Sequence, residues 1–257
     1  MTASDGWDPA QYNRFADERE QPFWDLASLV QRVEAPVVVD LGCGDGRLTS
    51  SLGEMLGVAS IAGIDSSPSM IGAAMRHTSD RASFVLGDLA TWHEPNGFDV
   101  VFANASLQWV PDHASVLARW AGSLRGAGQL AVQVPANADH PSHRVAVQLA
   151  QEMFDDPPPD VVAQNVLAPE AYSRLLDDLG FVDQHVRLQV HAHRMASISD
   201  VVEWVKGTSL TRFKEPLGQT GFEHFVDLYR ERLLRELGDQ SPYFYPFKRI
   251  LIWARRA

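Results

Sequence analysis

The sequence has one cysteine, no long apolar run and no run of basic residues, and each absence closes off a class of protein. With Cys43 alone among 257 residues, no internal disulfide can form, which suits a reducing compartment. No apolar stretch approaches the ~20 residues that a membrane-spanning helix requires. The opening MTASDGWDPAQYNRFADERE is polar and acidic and has no apolar signal segment. A cytoplasmic location is expected. The 22 lysines and arginines never cluster beyond Arg255-Arg256, and the formal net charge is -11. Nucleic acid and anionic membranes bind through clustered cations, so neither is an expected partner. A small anionic substrate stays compatible, provided that a few arginines converge on one pocket.

What is present is enough apolar material, 45% of the chain, for one α/β domain with an elaboration. Short β-branched runs at Val37–Leu41, Ser60–Ile64, Ser83–Leu86, Phe98–Ala103 and Gln129–Val134 read as buried strands. Leu48–Leu56, Pro68–Arg76 and Ala114–Leu124 lie between them with helical spacing. This alternation implies a mostly parallel sheet covered on both faces. Ser67-Pro68 reads as an N-cap followed by a first-turn proline, and Gly126 with Gly128 as a turn.

After Pro135 the pattern changes. Asp155–Asp160 is a proline-rich spacer, Pro169–Leu179 a helix stopped at Gly180, and Phe181–His193 a long alternating strand. Helices follow at Asp200–Lys206 and Thr220–Leu237, the second with Thr220 and Glu223 at capping-box spacing and Phe222, Phe225, Val226, Tyr229, Leu233 and Leu237 on one face. Arg249–Ala254 reads as the last strand. The expected division is an N-terminal helical segment or lid at 1–30, then a domain over 31–257 with a helical cap inserted at about 197–245.

The first strand runs into Asp40-Leu41-Gly42-Cys43-Gly44-Asp45-Gly46. Glycines there let the backbone turn and approach a ligand. A dinucleotide site wants a third glycine where Arg47 stands, which disfavours a nicotinamide oxidoreductase. The spacing suits a cofactor with an ammonium group and no pyrophosphate. Asp40 is placed to accept from that amine, Asp65 to accept from two ribose hydroxyls, and Asp88 with the Leu89 N–H to meet an adenine. Asn104-Ala105 ends the fourth strand and faces the same cofactor. The pair His191 and His193 has no third ligand of metal geometry, so no metal is expected. Cys43 reads as a small loop residue with no activating base.

Three further runs carry a resemblance: Phe102-Ala103-Asn104-Ala105-Ser106-Leu107-Gln108-Trp109-Val110-Pro111-Asp112-His113, Gly63-Ile64-Asp65-Ser66-Ser67-Pro68-Ser69-Met70-Ile71, and Gln133-Val134-Pro135. With the opening Trp7, Tyr12, Phe15, Arg19, Pro22 pattern, the sequence resembles class I methyltransferases and, among them, the trans-aconitate 2-methyltransferase family. It departs from that family at Asp45-Gly46-Arg47, where proline and then Gly-Asn is usual. The resemblance implies a Rossmann-like fold with a seven-stranded, mostly parallel sheet, helices on both faces and a helical cap. It implies S-adenosyl-L-methionine as cofactor, leaving as S-adenosyl-L-homocysteine, with contacts from Asp40, Gly42, Cys43, Gly44, Asp65, Ser66, Met70, Asp88, Leu89, Asn104 and Ala105. It implies methyl transfer to one carboxylate of a tricarboxylic acid. Methylation of a malonyl-thioester carboxylate or of an enolic carbon is the alternative within the class, and a non-catalytic cofactor-binding module the alternative outside it. Because a carboxylate is already ionised at neutral pH, positioning rather than acid–base catalysis is expected. The remaining carboxylates call for arginines, with Arg19, Arg212 and Arg249 as candidates, His140 beside them, and Tyr12, Gln108 and Trp109 lining the site.

Overall fold

The computed structural model describes residues 16–257, with side chains from residue 20 onward. Its strands are β1 Val37–Leu41, β2 Ser60–Asp65, β3 Ala82–Leu86, β4 Phe98–Asn104, β5 Leu124–Pro135, β6 Asp183–Met195 and β7 Tyr243–Arg255, in one sheet ordered β3-β2-β1-β4-β5-β7-β6. β1 lies parallel to both β2 and β4, β2 to β3 and β4 to β5, whereas β7 runs antiparallel to β5. Strand order reverses between β1 and β4. In open sheets of this kind the crevice outside the carboxyl ends at that reversal receives the ligand.

The helices are α1 Ala16–Ala27, α2 Arg47–Leu56, α3 Pro68–Ala74, α4 His113–Gly122, α5 Pro141–Met153, α6 Val161–Asn165, α7 Pro169–Asp178, α8 Ile198–Lys206 and α9 Lys214–Leu237. Ser67 caps α3 as expected, its hydroxyl accepting from the Met70 N–H at 3.2 Å. The last cap helix starts close to where it is expected: α9 is two helical stretches meeting at a kink at Gly218, whose φ of 63° and ψ of 178° are not helical, two residues before Thr220. Two expectations need adjusting. The capping box, expected at Thr220 and Glu223, is formed on α8, where Asp200 accepts from the Ser197 N–H at 3.1 Å. Gly126 and Gly128 do not precede β5 but lie inside it, where pairing with β4 jumps from Phe98↔Leu124 to Val100↔Gln129. Among the described residues no helix is long and apolar enough to cross a membrane.

The chain divides into two compact units. The sheet unit comprises Arg19–Pro135, Asn165–Gln189 and Arg249–Ala257. Val38, Val39, Leu41, Val100, Val101, Phe102 and Ala103 are fully buried without alternation, as strands covered on both faces must be. Phe23 of α1 meets Phe102 edge-on at 5.0 Å between ring centres. Gln129 of β5 accepts from the Gln31 N–H at 2.7 Å and the Trp253 indole at 2.9 Å, and donates to the Gln31 carbonyl at 2.9 Å.

The helical unit includes Ala136–Gln164 and Val190–Lys248. Its core joins α5, α8 and α9 to Met195 and the first half of β7 through Val145, Leu149, Trp204, Phe213, Phe225, Tyr229, Tyr245 and Phe247. The face expected on the Thr220–Leu237 stretch is this core: Phe225, Tyr229 and Leu233 are fully buried, and the Tyr229 hydroxyl donates to the Ser142 carbonyl at 2.7 Å.

Candidate active site

The loop leaving β1 is set by backbone geometry. Gly42 has φ 86°, and a Cβ there would lie 2.2 Å from the Ser106 Cβ. Ser106 in turn donates to the Leu41 carbonyl at 2.5 Å, so the loops after β1 and β4 touch with no room for a side chain. Gly44, at φ 56°, has the opposite surroundings: nothing lies within 4 Å of where its Cβ would be. A ligand can therefore approach the backbone there. The Gly44 N–H donates to Asp65 Oδ2 at 2.9 Å, and the Ser67 N–H to Asp65 Oδ1 at 2.9 Å. Two backbone donors thus fix the carboxylate at the end of β2 against the β1 loop. Ser66 is exposed beside it, and Met70 is buried below.

Asp40 is buried, and Thr49 of α2 donates to its Oδ2 at 2.6 Å. Burial pushes its carboxyl up to about 7; the Thr49 bond works against this, and the charge of Asp65 adds to it. Cys43 is buried, and burial first, then the charges of Asp40 and Asp65, push its thiol upward. A thiol held protonated in this way is a poor nucleophile. Asp88 accepts from the Ala90 N–H at 2.9 Å in its own turn, while the Leu89 side chain is buried and its carbonyl accepts from the Trp120 indole at 3.2 Å. Arg47 heads α2 and pairs with Glu20 of α1. It occupies the position where a dinucleotide fold packs glycine.

At the end of β4, Ala105 adopts φ 55° and donates to the Gln133 carbonyl at 3.0 Å. Gln108 is buried, donates from Nε2 to the Ala105 carbonyl at 2.6 Å, and accepts at its backbone carbonyl from Asn165 Nδ2 at 3.1 Å. The Asn104 Oδ1 and Gln108 Oε1 atoms are buried with no hydrogen-bond partner. Trp109 is 36% exposed, so it is not a core tryptophan. Arg249 is buried, with Nη1 at 3.4 Å from Gln133 Oε1. The sheet unit therefore brings together Asp40, Asp65 and the glycine loop at one group of strand ends, and Asn104, Gln108 and Arg249 at the next.

His140 and Arg212 belong to the helical unit. His140 caps α5, accepting from the Ser142 N–H at 3.1 Å, and lies 3.2 Å from the Tyr243 hydroxyl. Burial pushes it down to about 4, so at neutral pH it carries no charge with which to hold an anion. Arg212 pairs with Asp160 at 2.8 Å, both side chains mostly buried. Tyr12 lies outside the described residues, as does the side chain of Arg19, whose backbone belongs to α1.

Four residues escaped the sequence reading: Thr49, Ser106, His113 and Gln133. His113 is buried, bonded to the Leu107 carbonyl at 3.0 Å and to the Tyr172 hydroxyl at 2.8 Å, which ties the loop after β4 to α7. Burial lowers its pKa, in keeping with a neutral ring that donates from Nε2 and accepts at Nδ1. Ser106, His113 and Gln133 carried a signal, as members of the runs that bear the resemblance; Thr49 did not.

Residues 38–128 match the family described as methyltransferase domain. The chain is 38% identical to the trans-aconitate 2-methyltransferase of Deinococcus radiodurans over 257 residues, covering 97% of this chain and 98% of that one. It is 38% identical to the protein of the same name from Mycobacterium marinum, over 96% of this chain and 95% of its relative. Among solved structures it superposes on an S-adenosylmethionine-dependent methyltransferase from Mesorhizobium loti with a TM-score of 0.52 at 19% identity, covering 93% of this chain and 98% of that one, a likeness of fold. With this identity over nearly its whole length, the chain belongs to the trans-aconitate 2-methyltransferase family of class I methyltransferases.

Proposed function

We propose that this protein binds S-adenosyl-L-methionine at the carboxyl ends of β1–β4 and methylates one carboxylate of trans-aconitate, giving the monomethyl ester. The observation that carries the reading is the near full-length identity to relatives named for that reaction, joined to a strand-end chemistry that fits the cofactor. The fit rests on Gly44, where open space meets the backbone, and on Asp40, Asp45 and Asp65, whose negative charges gather around Cys43 and complement a cationic ligand. Asp40 holds the methionyl ammonium, directly or through water, Asp65 the ribose hydroxyls, and Asp88 with the Leu89 N–H the adenine. Asn104 and Ala105 flank the reacting end, with Gly42 and Cys43 beneath and Ser66 and Met70 beside the ribose.

Bound there, the cofactor supplies an electrophilic methyl group on a sulfonium sulfur. The chain's part is to present a carboxylate oxygen in line with that methyl and to keep water away. No general base is needed, because the attacking carboxylate is already ionised. Arg249 is the strongest candidate for a second substrate carboxylate: it is buried in the sheet unit and faces a neutral glutamine. Gln108 and Trp109 line the approach. Arg212 already holds Asp160, so it serves a substrate only by exchanging one carboxylate for another. Tyr12, Arg19 and His140 stay candidates on the resemblance alone, and the uncharged His140 offers a hydrogen bond rather than a charge.

The test is incubation with labelled methyl donor and a panel of di- and tricarboxylates that includes trans-aconitate. Label in a base-labile ester of trans-aconitate is expected. Label in another acid of the panel, in a carbon–carbon bond, or in none overturns the assignment.

A further inference from the structure

Resting on the carboxylate reading above, we propose that Gln133 is a substrate-positioning residue, whose side-chain amide orients the Arg249 guanidinium and itself donates to the same substrate carboxylate. The argument begins with register. Asn104 of β4 stands opposite Gln133 of β5, and Gln133 opposite Leu251 of β7. Side chains in register share a face, and residues two apart on a strand return to it. Asn104, Gln133 and Arg249 therefore form a polar row across three strands, at the carboxyl ends of β4 and β5 and the start of β7's pairing with β5, where Pro135 opposes Arg249.

Gln133 is fully buried, opposite the fully buried Leu251 and two residues from the fully buried Ala131 on the same face. Packing alone would favour leucine or methionine there, since a buried amide costs free energy unless it is hydrogen-bonded. The Oε1 atom faces Arg249 Nη1 at 3.4 Å. The Nε2 atom is buried with no partner, as is the Oδ1 of Asn104 across the register. A neutral amide orients a guanidinium without cancelling its charge, as a carboxylate at the same place would. It also leaves two N–H donors beside that cation. An ionised carboxylate, with two oxygens and about four lone-pair sites, accepts from both groups at once.

The test measures binding of tricarballylate, an unreactive tricarboxylate, to protein saturated with S-adenosylhomocysteine. Gln133→Glu keeps the acceptor for Arg249 but puts a negative charge where the donor was. Tricarballylate affinity should fall at least tenfold while S-adenosylhomocysteine affinity stays within twofold. Gln133→Met, of similar size, should lose about fivefold, raising KM for trans-aconitate with kcat within threefold. A packing role gives a different pattern, which also overturns the proposal: Gln133→Met binds tricarballylate like the parent, and Gln133→Glu loses S-adenosylhomocysteine binding together with tricarballylate binding, through folding. If both variants bind tricarballylate like the parent, or both lose S-adenosylhomocysteine binding as well, the proposal is overturned. If the parent binds tricarballylate and Gln133→Glu does not, yet no acid of the panel is esterified, the carboxylate clamp stands and the reaction assigned above fails. If the parent binds no tricarboxylate at all, the clamp is wrong whatever the esterification result.

Discussion

The acidic strand ends of the sheet unit and the polar groups in the core of the helical unit are fixed by different means. In the sheet unit the acidic residues at the strand ends are held mostly by nearby groups: Asp65 by the N–H groups of Gly44 and Ser67, Asp88 by that of Ala90, and Asp40 by Thr49 in the following helix. In the helical unit side chains hold one another across long stretches of sequence. Ser142 meets the Tyr245 hydroxyl at 2.9 Å, Tyr229 reaches the Ser142 carbonyl, His143 meets Ser209 at 3.2 Å, and Arg212 meets Asp160. The first arrangement leaves carboxylates oriented at a strand end, ready for a ligand. The second uses its polar groups to lock a core.

If that contrast is right, the largest effect belongs to the helical unit and falls on stability. Tyr229→Ala, which empties a fully buried site, should cost ~3–5 kcal/mol of unfolding free energy in a denaturant titration. A loss below ~1 kcal/mol would mean that this core is not packed as described. Next comes Asp65→Ala, which should weaken S-adenosylhomocysteine binding by ~1.5–3 kcal/mol, the worth of hydrogen bonds to a charged group, with little change in stability. Unchanged affinity by calorimetry would remove Asp65 from the cofactor site.

A smaller effect comes from Asp40. Its carboxyl, pushed up to about 7, is half neutral at pH 7, and only the ionised form attracts an ammonium. Affinity should therefore fall as pH drops below 7, approaching tenfold, or ~1.4 kcal/mol, for each unit. The sign for the free protein is opposite. A carboxyl whose folded pKa lies above its unfolded value favours folding most below the unfolded pKa, and that contribution is lost as pH rises through 7. Asp40→Asn should flatten both profiles. The smallest effect is on Cys43, whose thiol should resist alkylation in the native protein at pH 8 and react only on unfolding; rapid labelling would contradict its burial.

The same contrast explains what could be read from the sequence. β1, β2 and β4 were legible because continuous β-branched runs have one use in such a fold, and Asp40, Asp65 and Asp88 because they stand at the ends of β1 and β2 and just after β3. Ser67 was legible because its cap closes within three residues. β7 was read too short: Ile250–Trp253 is a continuous apolar run, but Tyr243, Tyr245 and Phe247 alternate, and their partners in the helical core come from α5 and α8. The stretch Thr220–Leu237 was legible because its apolar face repeats with helical spacing after the break at Gly218. The row of Asn104, Gln133 and Arg249 depends on strand register, which no local pattern encodes.

The place of β7 in the sheet bears on the order in which the fold can assemble during synthesis. Of the seven strands described, it is the last to be translated, yet it lies between β5 and β6, which are made earlier. Until it arrives, β5 presents an open edge, and Gln129 waits for the Trp253 indole. A nascent chain that stalls before residue 243 therefore carries an unpaired, apolar β5, the kind of edge that recruits other strands. Speed of completion, or a chaperone at that edge, becomes a requirement written into the topology.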